Sequence, residues 1–455
     1  MKKFKLSSIH LIPLSFLAAI LIGTVLLALP VSSASGTWTP FEDALFTSAT
    51  SVCVTGLVVV DTYLYWSVFG KAVILVLIQI GGLGVITVVA TLMLLAHKHF
   101  SLSSRLTLRD AMNLDSISGL LGFLSRVIRG TLIVELIGAL LYMPAFIPVF
   151  GTGQGIWVSV FTAISAFCNA GIDILGPDSL APYRTQPLVL IVTMVLIILG
   201  GIGYVVWIDI SKKAGYGIRR SFSLRQTAKR LSEHTKLVLA ITGTLILSGA
   251  FLVFWSEYNN PDTIGGMPLP LKILNSLFES VTFRTAGFAT FSQKAITDIT
   301  CVAAYLWMFI GGSPIGTAGG VKTTTFYLYL LNISSYIRGK SHVRVFNRSV
   351  TSTQMKKASV IVEVSVITVL ILTLLLIATN PLDFKDGLFE IMSACATVGL
   401  TRDVTQTLNL AGKLIVTAAM YLGRIGPISM AIFLARGTGR TEPEVQYADG
   451  NFYIG

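Results

Sequence analysis

The sequence predicts an all-α polytopic membrane protein in which four pseudo-symmetric units, each a span, a re-entrant loop and a second span, surround one axis. Three observations carry this prediction: hydropathy, the sidedness of charge, and an internal repeat. Of 455 residues, 53% are hydrophobic and 12% charged, about half the charge of an ordinary soluble domain. Mean hydropathy is +0.76, and several apolar runs reach the ~20 residues that cross a ~30 Å hydrocarbon core. A transmembrane β-barrel would show ~10-residue alternating segments, which Leu188 to Ile198 and Val364 to Ile377 do not.

Eight apolar runs fall at 11–30, 70–96, 127–149, 187–209, 237–256, 300–336, 359–379 and 412–435. With the N-terminus inside, the inner segments carry 24 Lys and Arg and the outer segments 8. That asymmetry predicts cytoplasmic termini. It also accounts for the formal charge of +12 without nucleic acid as a partner, and leaves the inner basic loops to dock a cytoplasmic partner or anionic lipid. Lys2, Lys3 and Lys5 ahead of an apolar run imitate a secretory signal. The run from Leu11 to Leu29 exceeds a typical signal core, and cleavage would delete the first helix of a repeat.

The repeat is read from four half-apolar segments, each ending in glycine: Phe46 to Gly56, Phe161 to Gly171, Phe278 to Gly287 and Phe389 to Gly399. Their glycines are 115, 116 and 112 residues apart, which divides the chain into units at 1–96, 97–210, 211–336 and 337–436, with a cytoplasmic tail at 437–455. Each segment is too short to cross a bilayer and too apolar for a solvated loop, so it dips in and returns. Irregular backbone at membrane depth is tolerated where it is buried in protein or lines a watery cavity. Glycine permits φ > 0, and carbonyls turned inward can replace the hydration shell of an alkali cation. A dehydrated monovalent cation is the implied cargo; a tight turn alone is the plainer reading of each glycine. Thirteen of the 22 acidic residues are assigned to the outside, including Glu279 and Glu390, where they would concentrate cations.

A second matched position lies in the second span of each unit. Gly82, Gly201 and Gly312 occupy it in three units and Arg424 in the fourth. Arg424 falls midway along the run 414–435, and an intramembrane arginine is by default a functional hypothesis. Its expected place is the aqueous path below the loops, where it would oppose cations. The competing expectation is a bond to Glu135, Glu363 or a loop carbonyl.

The third unit departs from the others at Gly311-GSPIGTAG-Gly320, where five of ten residues are glycine. A continuous helix is improbable there, so Gly311, Gly312, Gly316, Gly319, Gly320 and the following Lys322 are read with Arg424 as a gate. The stretch falls short of a phosphate-binding loop because Val321 stands where that motif needs glycine. Hydrolysis by Ser313 would need a base, and all five histidines fall at inner span ends or inside loops. Cys53, Cys168, Cys301 and Cys395 have no metal-site spacing and read as packing residues.

VCVTGL at 52–57, FCNAG at 167–171, FRTAGF at 283–288, GGSPIGTAGGVKT at 311–323 and GRIGP at 423–427 together resemble the Trk/Ktr/HKT superfamily of cation transporters over nearly the whole chain. Eight spans without an extra N-terminal pair are similar to the KtrB type of bacterial membrane subunit rather than the longer TrkH type. The resemblance implies a potassium-binding filter at Val54, Thr55 and Gly56, Asn169, Ala170 and Gly171, Thr285, Ala286 and Gly287, and Thr397, Val398 and Gly399. It also implies a gating loop at 311–320, a pore arginine at Arg424, and a homodimer with one pore per subunit in the bacterial cell membrane. A cytoplasmic KtrA-like nucleotide-binding ring, sodium-dependent uptake of potassium and no cofactor in this chain follow on the same ground. The motif TVGYG of ordinary potassium channels is absent, which implies looser selectivity, with sodium conduction the alternative.

Overall fold

The computed structural model describes residues 8–85, 87–88, 120–219, 222–339, 343–346 and 348–426. The basic segment 97–119 and the tail 437–455 lie outside the described residues. The first unit comprises α1 (Ser8–Ala28), α2 (Phe41–Cys53) and α3 (Val68–Leu83). The second comprises α4 (Leu120–Phe150), α5 (Thr152–Cys168), α6 (Pro187–Gly201) and α7 (Tyr204–Arg219). The third holds α8 (Glu233–Glu257), α9 (Leu269–Thr282), α10 (Asp298–Phe309) and α11 (Thr323–Ile337). The fourth holds α12 (Ser352–Thr379), α13 (Phe384–Ala396) and α14 (Leu410–Ile425).

The opening helices α1, α4, α8 and α12 are each long and apolar enough to cross a membrane, with mean hydropathies of 2.5, 2.1, 2.4 and 2.9. Only 28–33% of each apolar stretch is buried in protein. Ile22 and Val25 on α1, Leu132 on α4, Phe251 on α8 and Leu374 on α12 are exposed. Helices apolar on their outward as well as their inward faces are suited to hydrocarbon. The short helices α2, α5, α9 and α13 lie inside, each packed on the long helix that precedes it. Phe46, Phe161, Phe278 and Phe389, at matched positions on these four, are fully buried.

The second helix of each unit packs on the short helix of the next: α3 on α5, α6 on α9, α10 on α13, and α14 back on α2. The four units therefore close into a ring.

The structure corrects the sequence reading of the second spans. Continuous helices are expected at 70–96, 187–209 and 412–435, with a break in the third unit alone. Instead α3 ends at Leu83, α6 at Gly201 and α14 at Ile425, and Gly84, Gly203 and Gly426 follow with φ of 84°, 89° and 92°. Beyond its break the second unit turns by 99° into α7. Left-handed glycine is a common helix terminator, and packing keeps the neighbouring positions small. A Cβ on Gly81, Gly200 or Gly423 would stand 2.1, 2.0 or 2.0 Å from the carbonyl oxygen of Val52, Phe167 or Cys395 on a short helix.

Candidate functional site

Where the short helices end, the four units converge on one backbone geometry. Two residues before each loop glycine stands a non-glycine residue with positive φ: Val54 at 56°, Asn169 at 60°, Thr285 at 69° and Thr397 at 51°. The glycines themselves follow at 105° for Gly56, 64° for Gly171, 81° for Gly287 and 95° for Gly399. Left-handed backbone at the first position is costly for a side-chain-bearing residue, and here it recurs four times. It turns each chain abruptly from its helix into an extended return.

These turns bring the glycines into mutual contact. A Cβ on Gly56 would lie 2.6 Å from the Ala170 carbonyl oxygen, and one on Gly171 would lie 2.6 Å from that of Ala286. The same construction on Gly287 meets Val398 O at 2.7 Å, and on Gly399 meets Thr55 O at 2.2 Å. Each loop thus abuts the carbonyl of the next, and the fourth abuts the first. No side chain fits at any of the four positions without displacing backbone.

A hydroxyl in the last turn of each short helix pins the returning strand. Gly56 and Gly399 donate their N–H groups to Thr50 Oγ1 and Ser393 Oγ, both at 3.0 Å. In the other two units the hydroxyl is the donor: Ser165 Oγ to Ile172 O at 2.5 Å and Thr282 Oγ1 to Phe288 O at 2.6 Å. The repeated Ser or Thr at this position is visible in the sequence, six residues before three of the glycines and five before the third, but carries no recognisable motif. Among the loop residues, the Thr55, Thr285 and Thr397 hydroxyls and the Asn169 Nδ2 are buried without a protein partner. Buried polar groups left unpaired by protein are where water or an ion is expected.

Beneath the loops lies a cavity of about 540 Å³, walled by Gly82, Gly316, Gly319, Gly320, Lys322 and Arg424 among others. Arg424 lines this cavity, and its guanidinium is held by backbone carbonyls. Its guanidinium donates to Gly81 O at 2.5 Å and to Thr317 O; neither Glu135 nor Glu363 pairs with it. The arginine of unit four therefore spans from unit one to the glycine-rich segment of unit three.

That segment folds back on itself and docks into the break of unit two. Gly311 N–H donates to Val321 O at 3.0 Å and Gly312 N–H to Gly319 O at 3.3 Å. Ser313 N–H and Thr317 N–H donate to Gly201 O and Gly200 O at 2.8 and 3.2 Å, and Tyr204 N–H donates to Ile315 O at 2.8 Å. The carbonyls freed where α6 stops are thus satisfied by another unit, as backbone at membrane depth requires. Thr317 Oγ1 lies 3.2 Å from Phe167 O and 3.0 Å from Asn169 Oδ1. Lys322 Nζ donates back to Ala318 O at 2.7 Å. A Cβ on Gly319 would meet Thr397 Oγ1 at 2.0 Å, so the segment passes directly under the fourth loop. Gly201 and Gly312 border a separate, much smaller cavity. Ser313 Oγ sits 3.0 Å from Thr323 Oγ1 rather than beside a base.

Several charged residues lie elsewhere than their sequence positions suggest. Glu279 and Glu390 are fully buried in α9 and α13; Glu390 accepts from Thr401 Oγ1 at 2.7 Å and from Thr405 Oγ1. Arg284, counted as an outer residue, is 7% exposed. Near the first turns of α2, α10, α13 and α14, Lys413 pairs with Asp43 at 2.6 Å, Arg402 with Asp386 at 2.7 Å, and Lys385 with Asp298. These pairs tie the fourth unit to the first and third, or its own loop to its own helix. Among the described residues no cluster of three or more His, Cys, Asp or Glu could hold a metal ion, so the polar groups at the loops are backbone, hydroxyl and amide.

The sequence profile of the TrkH family, described as cation transport protein, matches residues 11–438. The Ktr system potassium uptake protein B of Bacillus subtilis is 37% identical over 449 residues, covering 98% of this chain and 96% of that protein. The potassium/sodium uptake protein NtpJ of Enterococcus hirae is 34% identical over 455 residues, covering 99% and 98%. In three dimensions the chain is similar to the potassium transporter TrkH from Vibrio parahaemolyticus, with a TM-score of 0.72 at 16% identity, over 97% of this chain and 88% of that one. Apolar helices and these relatives together make it a multi-pass membrane protein and a transporter rather than an enzyme. The chain belongs to the TrkH family of cation transport proteins.

Proposed function

We propose that the chain is the pore-forming membrane subunit of a potassium uptake system. The observation that carries this is the closed ring of Gly56, Gly171, Gly287 and Gly399, each in left-handed backbone and each against a carbonyl of the next loop. Residues 54–56, 169–171, 285–287 and 397–399 form the selectivity filter, and a potassium ion stripped of water is the cargo they coordinate. Eight crossings, two per unit across 1–96, 97–210, 211–336 and 337–436, surround the path, and both termini face the cytoplasm. The segment 311–320, Lys322 and Arg424 form the gate, because they stand in and beside the cavity on the inner side of the ring.

Uptake depends on external sodium, and the subunit works as a homodimer in the cell membrane with a cytoplasmic KtrA-like nucleotide-binding ring. The naming of relatives as components of a Ktr system supports a multi-component assembly. A second reading, sodium-conducting or weakly selective transport, draws on Val54, which is apolar where Asn169, Thr285 and Thr397 are polar, and on the relative named for both ions.

The deciding experiment is potassium uptake by uptake-deficient bacterial cells expressing the chain, with and without a KtrA-like partner and external sodium. Rescue that needs sodium and rises with the partner is expected. Confirmed membrane insertion with no potassium uptake in any condition would refute the reading. Gly287→Ser is expected to shift ion preference toward sodium; an unchanged preference would speak against the filter assignment.

A further inference from the structure

Arg284 immediately precedes the left-handed turn of the third loop, yet its side chain is not at the outer surface. It is 7% exposed and, with Gly201, Ile202 and Gly312, lines a small cavity on the flank of the loops. Among the described residues it has no ion pair. Its Nη2 stands 3.5 Å from Gly311 O, the outer limit of a hydrogen bond, and its Nε has no partner. The ends of two broken helices border the same cavity. Gly201 is the last residue of α6, and Gly311 follows closely on the last residue of α10, Phe309. Helix C-termini present free carbonyls and partial negative charge, which favour a cation.

The cavity measures about 10 Å³, close to the least that holds one water. Three of the residues that wall it carry a buried polar atom with no protein partner: Arg284 Nε, Asn169 Nδ2 and Thr242 Oγ1. Two of these are N–H donors and the third is a hydroxyl. One water, accepting from the two nitrogens and donating to the hydroxyl oxygen, would satisfy all three, and leaving them unsatisfied would be costly.

We propose that Arg284 is a positioning residue that couples the third glycine loop to the segment 311–320, through the Gly311 carbonyl and one buried water shared with Asn169 and Thr242. The proposal rests on the functional reading above, in which the loops select and the segment gates. Gly311 is the first residue of the gate, and Thr285, next to Arg284 in the chain, carries the turn of the filter. A displacement of the segment takes the Gly311 carbonyl and the wall of the cavity away from the guanidinium, and the third loop loses its inner support. Ion preference therefore changes with the position of the gate.

The test uses the purified full-length chain and two readouts. Amide hydrogen exchange of peptides covering 311–322 needs no transport, and the ratio of sodium to rubidium influx is measured in proteoliposomes. In Arg284→Gln, exchange across 311–322 is expected to accelerate about tenfold, the equivalent of one hydrogen bond to a charged group, while α9 stays protected. The sodium-to-rubidium ratio is expected to rise about threefold as the filter loosens. Arg284→Lys keeps the charge but not the fork of donors, and should restore part of both effects. Thr242→Val removes only a partner of the water and should produce a smaller change in the same direction. Wild-type exchange and a wild-type ratio in Arg284→Gln would overturn the proposal; if that variant fails to insert, unchanged readouts in both Arg284→Lys and Thr242→Val would overturn it. Wild-type vesicles that admit neither ion would refute the transport reading itself, and the exchange arm would still decide the coupling.

Discussion

The level of the four glycines and the level just beneath it obey different rules. At the upper level every unit repeats one geometry, with φ of 51–69° two residues before the glycine and 64–105° at the glycine. At the lower level the units part company. A Cβ on Gly82 would collide with Cys168, one on Gly201 would meet nothing nearer than 3.7 Å, Gly312 is folded within its own segment, and the fourth position is Arg424. A small ion approached from four sides needs equivalent oxygens on all of them, so variation at the ring is penalised four times over. A barrier would need only one charged side chain and one adaptable segment, and the fourth unit carries Arg424 and the third the glycine-rich stretch 311–320. On the proposed reading, symmetry marks the level that coordinates and its loss the level that controls.

Substitutions at the two levels should therefore differ sharply. Gly399→Ala places a methyl 2.2 Å from Thr55 O at a φ of 95°, a combination of overpacking and backbone strain. Rubidium uptake by intact cells should fall about tenfold or more. Gly201→Ala, whose methyl would make only ordinary contacts at 3.7 Å with Ala318 and Asn169, should transport nearly as wild type. Equal effects from the two would break the comparison.

Arg424→Ala removes a charge from the cavity and two bonds that hold Gly81 and Thr317 in place. Influx should rise about threefold, because a like charge no longer opposes the cation. Unchanged or lower influx at normal expression would remove Arg424 from the barrier. Thr317→Val deletes the hydroxyl next to Phe167 O and Asn169 Oδ1. A loss of about 1 kcal/mol of docking is expected, seen as roughly fivefold faster amide exchange at 312–320 with exchange at the four glycine loops unaltered.

The smallest effect belongs to the ion pair of Lys385 and Asp298. The Lys385 ammonium beside Asp298 holds that carboxyl below the usual aspartate value, so the pair contributes above the aspartate range and is lost as pH falls through the lowered value. Asp298 is largely exposed, and exposed pairs contribute little. Asp298→Asn should leave the thermal midpoint at neutral pH unmoved, and a clear drop would show that the pair contributes more than an exposed one.

The ring was legible in the sequence because its requirement is local. Each glycine is the end of a recognisable segment, and the 115, 116 and 112-residue spacing places the four in register. The breaks after α3, α6 and α14 were not, since Gly81 to Gly84 or Gly200 to Gly203 sit among apolar residues and hydropathy does not register a bend. Arg284 reads as an outer residue because counting charges follows position along the chain, whereas its side chain is buried where the loop turns back. Glu279 and Glu390 were misplaced for the same reason: a carboxylate on a short helix reads as a mouth charge until the helix is seen to be buried.

Membrane residence, the count of apolar runs and the fourfold repeat follow from composition and periodicity, and the sequence alone determined them. The partners of Arg424, 343 residues from Gly81 and 107 from Thr317, and the docking of the third unit's segment into the break of the second were decided by tertiary structure only. Carbonyls freed by a broken helix at membrane depth must find donors, and which donors reach them depends on how four units close around one axis.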